Sequence, residues 1–282
     1  MKKFLCAMMA MVVMMTSAFA LAEEINVISR EDGSGTRGAF IELFGIEQKN
    51  EDGEKIDYTT DECDITNSTS VMMTSVSGND CAIGYISLGS LNDTVKALTI
   101  DGAEASVENI KAGTYNVARP FNIATLAETS EVAQDFIAFI MSAEGQAVIE
   151  ANGYIAVAEN APAFEGGKVS GKIVIAGSSS VTPVMEKLTE AYMAVNPDVE
   201  IELQQSDSSS GMTSTLNGVS DIGMASRALK DSEIEAGLIT MTIAMDGIAV
   251  IVSNDNPVNG LTSEQVRDIY MGEITDWSEV DE

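Results

Sequence analysis

The chain has 282 residues, 44 of them acidic against 15 basic, no histidine, and a formal charge of −29. That surplus of negative charge argues against nucleic acid or an anionic membrane surface as a partner, and the missing histidine removes the commonest general base, the usual partner of a serine nucleophile and the commonest zinc ligand. A small anion is still admissible, because helix ends and hydroxyls act locally while distant surface charge is screened beyond about 8 Å at physiological salt.

Lys2 and Lys3 precede an apolar run from Phe4 to Met15, and Ala20-Leu21-Ala22 offers a small-x-small cleavage point before Glu23. Residues 1–22 therefore read as a secretory signal peptide, with Cys6 too early in it to anchor a lipoprotein. The remaining 260 residues suffice for one large domain or two lobes. They contain no second apolar run long enough for a membrane span. Their two cysteines, Cys63 and Cys81, fit either one disulfide or two separate buried thiols.

After the apolar run Ile25–Ile28 comes Ser29-Arg30-Glu31-Asp32-Gly33-Ser34-Gly35-Thr36, then Ala39, Phe40, Leu43 and Phe44 at helical spacing. This predicts strand, tight turn, helix. In such a turn Ser34, Gly35 and Thr36 sit at a helix N-terminus, where unpaired N–H groups and the positive end of the dipole hold an anion. Arg30 could supply a planar fork matched to an oxyanion. Taken alone, the segment fits a capped helix with a solvated arginine equally well.

Residues 47–64 read as an acidic surface excursion, Ser68–Val76 as a short helix, Ala82–Ile86 as a buried strand and Val95–Ile100 as another. Residues 107–112 suggest a short amphipathic piece, and Tyr115–Phe121 runs extended up to Pro120. The apolar positions Val132, Phe136, Ile137, Ile140, Met141, Val148 and Ile149 predict two helices broken near Ser142 and Gly145. Residues 158–171 turn Gly-rich and polar, which marks a linker. The second half opens in parallel with the first. Lys172–Ala176 reads as a strand, Gly177-Ser178-Ser179-Ser180-Val181-Thr182 as a hydroxyl-rich turn, and Pro183 suits the first turn of a helix. A strand at Glu200–Gln204 leads to Ser206-Asp207-Ser208-Ser209-Ser210-Gly211 and a further helix. Three Ser/Gly-rich turns, each before a helix, suggest N-termini converging on one anion. Further on, Asp221–Arg227 reads as a short strand and polar loop, and Ile248–Val252 as a strand buried on both faces. Thr262 with Gln265 forms a capping box, and Trp277 fits packing better than a partner surface.

Ser29–Thr36, Ala82–Leu88, Val95–Gly102, Ala118–Phe121, Ser142–Gln146, Gly177–Pro183, Asp221–Arg227, Asp246–Val252 and Asn256–Trp277 together resemble the phosphate-binding protein family of the ABC phosphate importer. The resemblance covers nearly the whole exported chain, in a displaced order: in the family the part similar to residues 172–280 comes first and the part similar to 25–157 follows. The chain thus resembles a circular permutant, with new ends between Glu279 and Ile25 and old ends joined through Glu165–Gly171. The resemblance implies a two-lobed α/β periplasmic binding protein-like fold of type II, with a ligand cleft between the lobes. One lobe would be assembled from residues 25–117 plus 248–282, the other from 118–247, linker included.

Carried over by position, the phosphate contacts fall on Arg30, Ser34, Gly35 and Thr36, on Ser179, Ser180 and the Val181 backbone, on Ser208 or Ser209, and on Ser226. Where some members place an Asp to accept the proton of phosphate, this chain has Arg227 after Ser226, which leaves the distinction from sulfate, molybdate or tungstate open. Asp32 is the expected supporting carboxylate, bonded to Arg30 or facing the ligand. The implied role is that of an exported periplasmic or extracellular monomer passing inorganic phosphate to permease subunits, without cofactor, metal or catalysis. A sensing or interaction module on the same fold is the other reading. A hydrolase is disfavoured, since Gly177-Ser178-Ser179-Ser180-Val181 lacks the second glycine of a nucleophile elbow and no histidine can serve as base.

Overall fold

The computed structural model describes residues 24–158 and 160–280, so the signal peptide read over 1–22 and the last two residues lie outside it. Ten strands build one curled sheet, eight of them along its main path: β1 (Asn26–Arg30), β2 (Asp64–Thr66), β3 (Ala82–Ser87), β4 (Ala118–Thr125), β5 (Gly171–Ser178), β6 (Val199–Ser206), β7 (Ile222–Ala225) and β8 (Ile239–Val252), with the short strands Lys96–Ala97 and Ile155–Ala156 pairing beside β8. The order along the main path is β6-β5-β7-β4-β8-β3-β1-β2. At one end β1 lies parallel to β2 and β3, and at the other β5 lies parallel to β6 and β7. Between them β4 and β8 run antiparallel to their neighbours.

The two ends are joined by β8. Residues 239–247 of this strand pair with β4, and Ile248–Val252 then pair with β3, so one strand passes through both halves of the sheet. The continuous apolar run showed only its second part. The first part, with Ile239, Thr240 and Met241 exposed, carries the mixed pattern of a strand leaving the core. Pro120, expected to end an extended segment, lies inside β4 opposite Met245, in a stretch that pairs with β8 and not with β7. There its missing N–H costs no ladder bond on the β7 side. Residues 95–100 form two very short strands, Lys96–Ala97 and Thr99–Ile100, in place of one.

Helices cover both faces. Near β1 and β3, α1 (Gly35–Leu43) and a C-terminal helix (Ser263–Tyr270) press Phe40, Val266, Ile269 and Tyr270 onto one face, and α2 (Thr69–Ser77) presses Met72 and Val76 onto the other. In the first of these cores Phe40 stacks on Tyr85 with ring centroids 3.9 Å apart, and Tyr270 meets Phe40 edge-on at 4.7 Å. This core draws only on residues 25–117 and 248–280. A second large core lies within 121–244, around Phe136, Phe139 and Tyr192, with α3 (Glu131–Ile140) and α4 (Ala143–Ala151) packed into it. The expected capping box of Thr262 with Gln265 is in place, and Ser34, Ser68 and Ser142 each accept a backbone N–H of the helix they start.

Trp277 packs into the first core and donates its indole N–H to the Cys81 carbonyl at 3.0 Å. Cys63 and Cys81 both lie half-buried against that core. The linker is better anchored than its composition suggests, since Phe164 stands edge-on to Phe139 at 5.2 Å and the Gly167 N–H donates to Asp135 at 3.0 Å. Among the described residues no helix is long and apolar enough to cross a membrane.

Phe40→Ala removes the ring that joins Tyr85 to Tyr270. It is expected to cost about 3–5 kcal/mol of stability, read as a lower urea midpoint with an unchanged m-value.

Candidate functional site

Parallel strands deliver their C-terminal ends to one side, the usual place for a ligand in an open α/β sheet. Here β1 ends at Arg30 and β5 at Ser178, and the serine-rich turns that follow lead into α1, α5 (Thr182–Val195) and, after β6, α6 (Ser208–Leu216). All three turns meet. Thr36 Oγ1 and Ser180 Oγ are 2.8 Å apart, and the Ser209 N–H donates to the Gly33 carbonyl at 3.2 Å. The Ser226 N–H donates to Ser208 Oγ at 3.1 Å, while the Ser178 hydroxyl donates to Ser226 Oγ at 2.9 Å.

Arg30 closes the group from below. Its guanidinium is almost fully buried, forks onto Glu31 through Nε and Nη2 at 2.8 Å each, and donates from Nη2 to Ser179 Oγ at 3.1 Å. Among the described residues its Nη1 meets no acceptor. Buried hydroxyls around an arginine with a donor to spare suit a small oxyanion. Beside this cage a cleft of about 530 Å³ opens at Thr69 and Ser179, between α2 on one wall and Pro183 on the other.

The sequence matches the PBP superfamily domain over residues 17–144 and 162–282. It is 58% identical over 257 residues to the phosphate-binding protein PstS 2 of Streptococcus agalactiae, across 91% of this chain and 87% of the relative. The chain belongs to the PstS family within the PBP superfamily. The crystal structure of a phosphate ABC transporter phosphate-binding protein from Streptococcus pneumoniae superposes with a TM-score of 0.71 at 45% identity, covering 92% of this chain and all of the other. A PstS from Staphylococcus saprophyticus is 35% identical over 123 residues, 41% of this chain and 39% of its own.

Of the residues expected at the site, Arg30 meets Ser179, Thr36 meets Ser180, Gly35 lies against Ser208 and Ser226, and Ser209 bonds the Gly33 carbonyl, whereas the Ser34 hydroxyl is engaged in capping α1. Two expectations change. Asp32 neither bonds Arg30 nor faces the cage: its side chain is fully exposed and pairs with Arg37 at 3.0 Å. Glu31, one residue nearer the end of β1, is the carboxylate that Arg30 grips, because it stays partly buried beside the guanidinium. The Val181 N–H is committed within its own turn, donating to the Ser178 carbonyl at 3.0 Å. Arg227 holds Glu233 in a fork at 2.8 and 2.9 Å and donates to Ser209 Oγ at 3.1 Å. Burial works to raise the Glu233 carboxyl, yet this fork and the Lys230 N–H keep it below its ordinary value.

Three members were not read from the sequence. Thr69 places Oγ1 3.3 Å from Ser180 Oγ. The run Ser68-Thr69-Ser70 is a fourth hydroxyl turn before a helix and carried the same signal as the others. Arg119 and Asp246, far apart in the chain, face each other across β4 and β8 and pair at 3.2 Å. Nothing local announces that pairing. Burial pushes the Asp246 carboxyl up to about 6, with Arg119, the Ser87 hydroxyl and the Gly89 N–H pulling against it.

Two predictions follow from this geometry. A Cβ on Gly35 would lie 2.4 Å from Ser208 Oγ and 2.8 Å from Ser226 Oγ. Gly35→Ala is therefore expected to wedge α1 away from α6, enlarging the radius of gyration in small-angle scattering. Asp246 titrates higher folded than unfolded, so the folded form takes the proton first. Its contribution to stability grows as pH falls through 6 and is lost as pH rises above it. Between pH 7.5 and 4.5 wild type should gain about 2 kcal/mol relative to Asp246→Asn, measured by urea unfolding.

Proposed function

We propose that this chain binds inorganic phosphate outside the cytoplasmic membrane and hands it to the permease subunits of an ABC transporter. The observation that carries this reading is the meeting of four hydroxyl-bearing turns around Arg30, whose Nη1 lacks an acceptor among the described residues. The names of the relatives from S. agalactiae and S. pneumoniae support it. In this reading Arg30, Ser34, Gly35, Thr36, Ser179, Ser180, Ser208, Ser209 and Ser226 enclose the anion, Thr69 joins them, and Glu31 orients the arginine. The lobes are residues 25–117 with 248–282, and 118–247. They close by bending where β4 and β8 cross between them, a hinge-type motion. The protein acts as an exported monomer, periplasmic or extracellular, and performs no catalysis.

The order of its halves we read as a circular permutation. The match to the S. saprophyticus PstS over two-fifths of each chain is what a collinear comparison gives when only one of two exchanged halves can be followed. The Ile25 N–H donates to the Thr275 carbonyl at 2.7 Å, so the segments that would flank exchanged termini lie side by side. The match to the S. agalactiae relative over 91% of this chain and 87% of the relative favours an arrangement shared between the two.

A second reading, another tetrahedral oxyanion, is favoured by Arg227. The position that would accept the proton of phosphate holds a cation already paired with Glu233, and Glu31 is taken by Arg30. A site without an uncommitted carboxylate has less means to reject sulfate. Calorimetry of the purified exported chain with phosphate, sulfate, molybdate and tungstate separates the readings, and a chain indifferent to all four would overturn both. Charge-assisted hydrogen bonds contribute roughly 1.5–3 kcal/mol, so Arg30→Ala should weaken phosphate about 10- to 150-fold. Unchanged affinity would remove Arg30 from the site.

A further inference from the structure

Among the described residues, five buried side-chain polar atoms find no hydrogen-bond partner: Arg30 Nη1, Arg119 Nε, Arg119 Nη1, Ser90 Oγ and Tyr154 Oη. They belong to one neighbourhood. Beyond the effect of burial, Arg119 lies near enough to Arg30 for that positive charge to lower its pKa, and Tyr154 packs on Gly89, next to Ser90, where an added Cβ would lie 2.2 Å from the tyrosine Cζ. Three of the five are guanidinium donors. Arg119 is 2% exposed, and Asp246 satisfies it through a single bond from Nη2. Two buried arginines in mutual repulsion, each with unmatched N–H groups, form an arrangement that proteins seldom keep unless an acceptor arrives from outside the chain.

The charges balance in pairs. Glu31 offsets Arg30, and Asp246, which also accepts from the Ser87 hydroxyl at 3.0 Å and the Gly89 N–H at 3.4 Å, offsets Arg119. Each carboxylate leaves part of its guanidinium unused. We propose that Arg119 is a second arginine of the oxyanion site, donating an unpartnered N–H to the same doubly charged anion that Arg30 Nη1 holds. This rests on the phosphate reading and extends it. The second cation comes from β4, one of the strands that cross between the lobes, so the anion would bond to the crossing point itself as well as to the turns on either side. The bound species would be the dianion, met by two guanidinium groups.

The test is calorimetry with inorganic phosphate on the full exported chain and two variants, each checked for a cooperative melt. Arg119→Met combined with Asp246→Asn removes the pair without leaving either charge alone, and should bind phosphate roughly tenfold or more weakly. Asp246→Asn alone keeps Arg119 and removes its competitor, and should bind no less tightly than wild type. The inference is overturned if the double variant binds within about threefold of wild type, which would leave the unmatched donors to buried water. It is equally overturned if Asp246→Asn loses as much affinity as the double variant, because the pair would then act only by bracing the crossing strands. A wild-type chain that ignores phosphate would instead refute the function itself.

Discussion

A guanidinium taken out of water has to be met by oxygen on every side, and much of this molecule answers that demand at Arg30. It stands at the end of β1, buried to 1% of its surface, and the chain brings to it Glu31 from its own strand, Ser179 from the turn before α5, and the hydroxyl group built on Thr36, Ser180 and Thr69. Desolvation is costly for a single unmatched charge. That cost is why the turns surrounding it are serine and threonine and not the apolar residues that fill the two cores. Net charge plays no part at this range: a strongly acidic protein holds a cationic centre because the centre is shielded from the acidic surface.

The second requirement is that the two halves of the sheet remain one object while presenting an opening between them. The fourteen-residue strand β8 meets it by pairing with β4 and then with β3. At the changeover stand Asp246 and Gly247, one buried among Arg119, Ser87 and Gly89 and the other packed against Ile110 and Leu88. Polar groups in that position are expensive unless fully satisfied. The unmatched donors of Arg119 therefore tie the interior of the crossing strands to whatever occupies the neighbouring cage.

Much of this architecture was legible from the residues alone because it rests on local chemistry. The strand-turn-helix units announced themselves through apolar runs followed by Ser/Gly turns, the capping box at Thr262 through its side chain and that of Gln265, and the cores through helical spacing at Val132 to Ile149. What escaped was set by distance along the chain. Neighbouring carboxylates Glu31 and Asp32 differ only in which side of the turn they leave from, and that choice decides which of them grips Arg30. The upstream half of β8 lacks an apolar run because it surfaces on its way out of the core. Arg119 and Asp246 are 127 positions apart and become neighbours only through strand register.

The two ends of the described chain touch, with Glu24 bridged to Asp276 and Ile25 bonded to Thr275, and both pack with the core of β1 and β3. Reporter groups attached beside Glu24 and Asp276 would therefore ride on the same core and hold a constant spacing. The segment around Gly166 and Gly167, fastened to Asp135 by the Gly167 N–H, packs with the other large core, so a second label there would report the distance between the two cores.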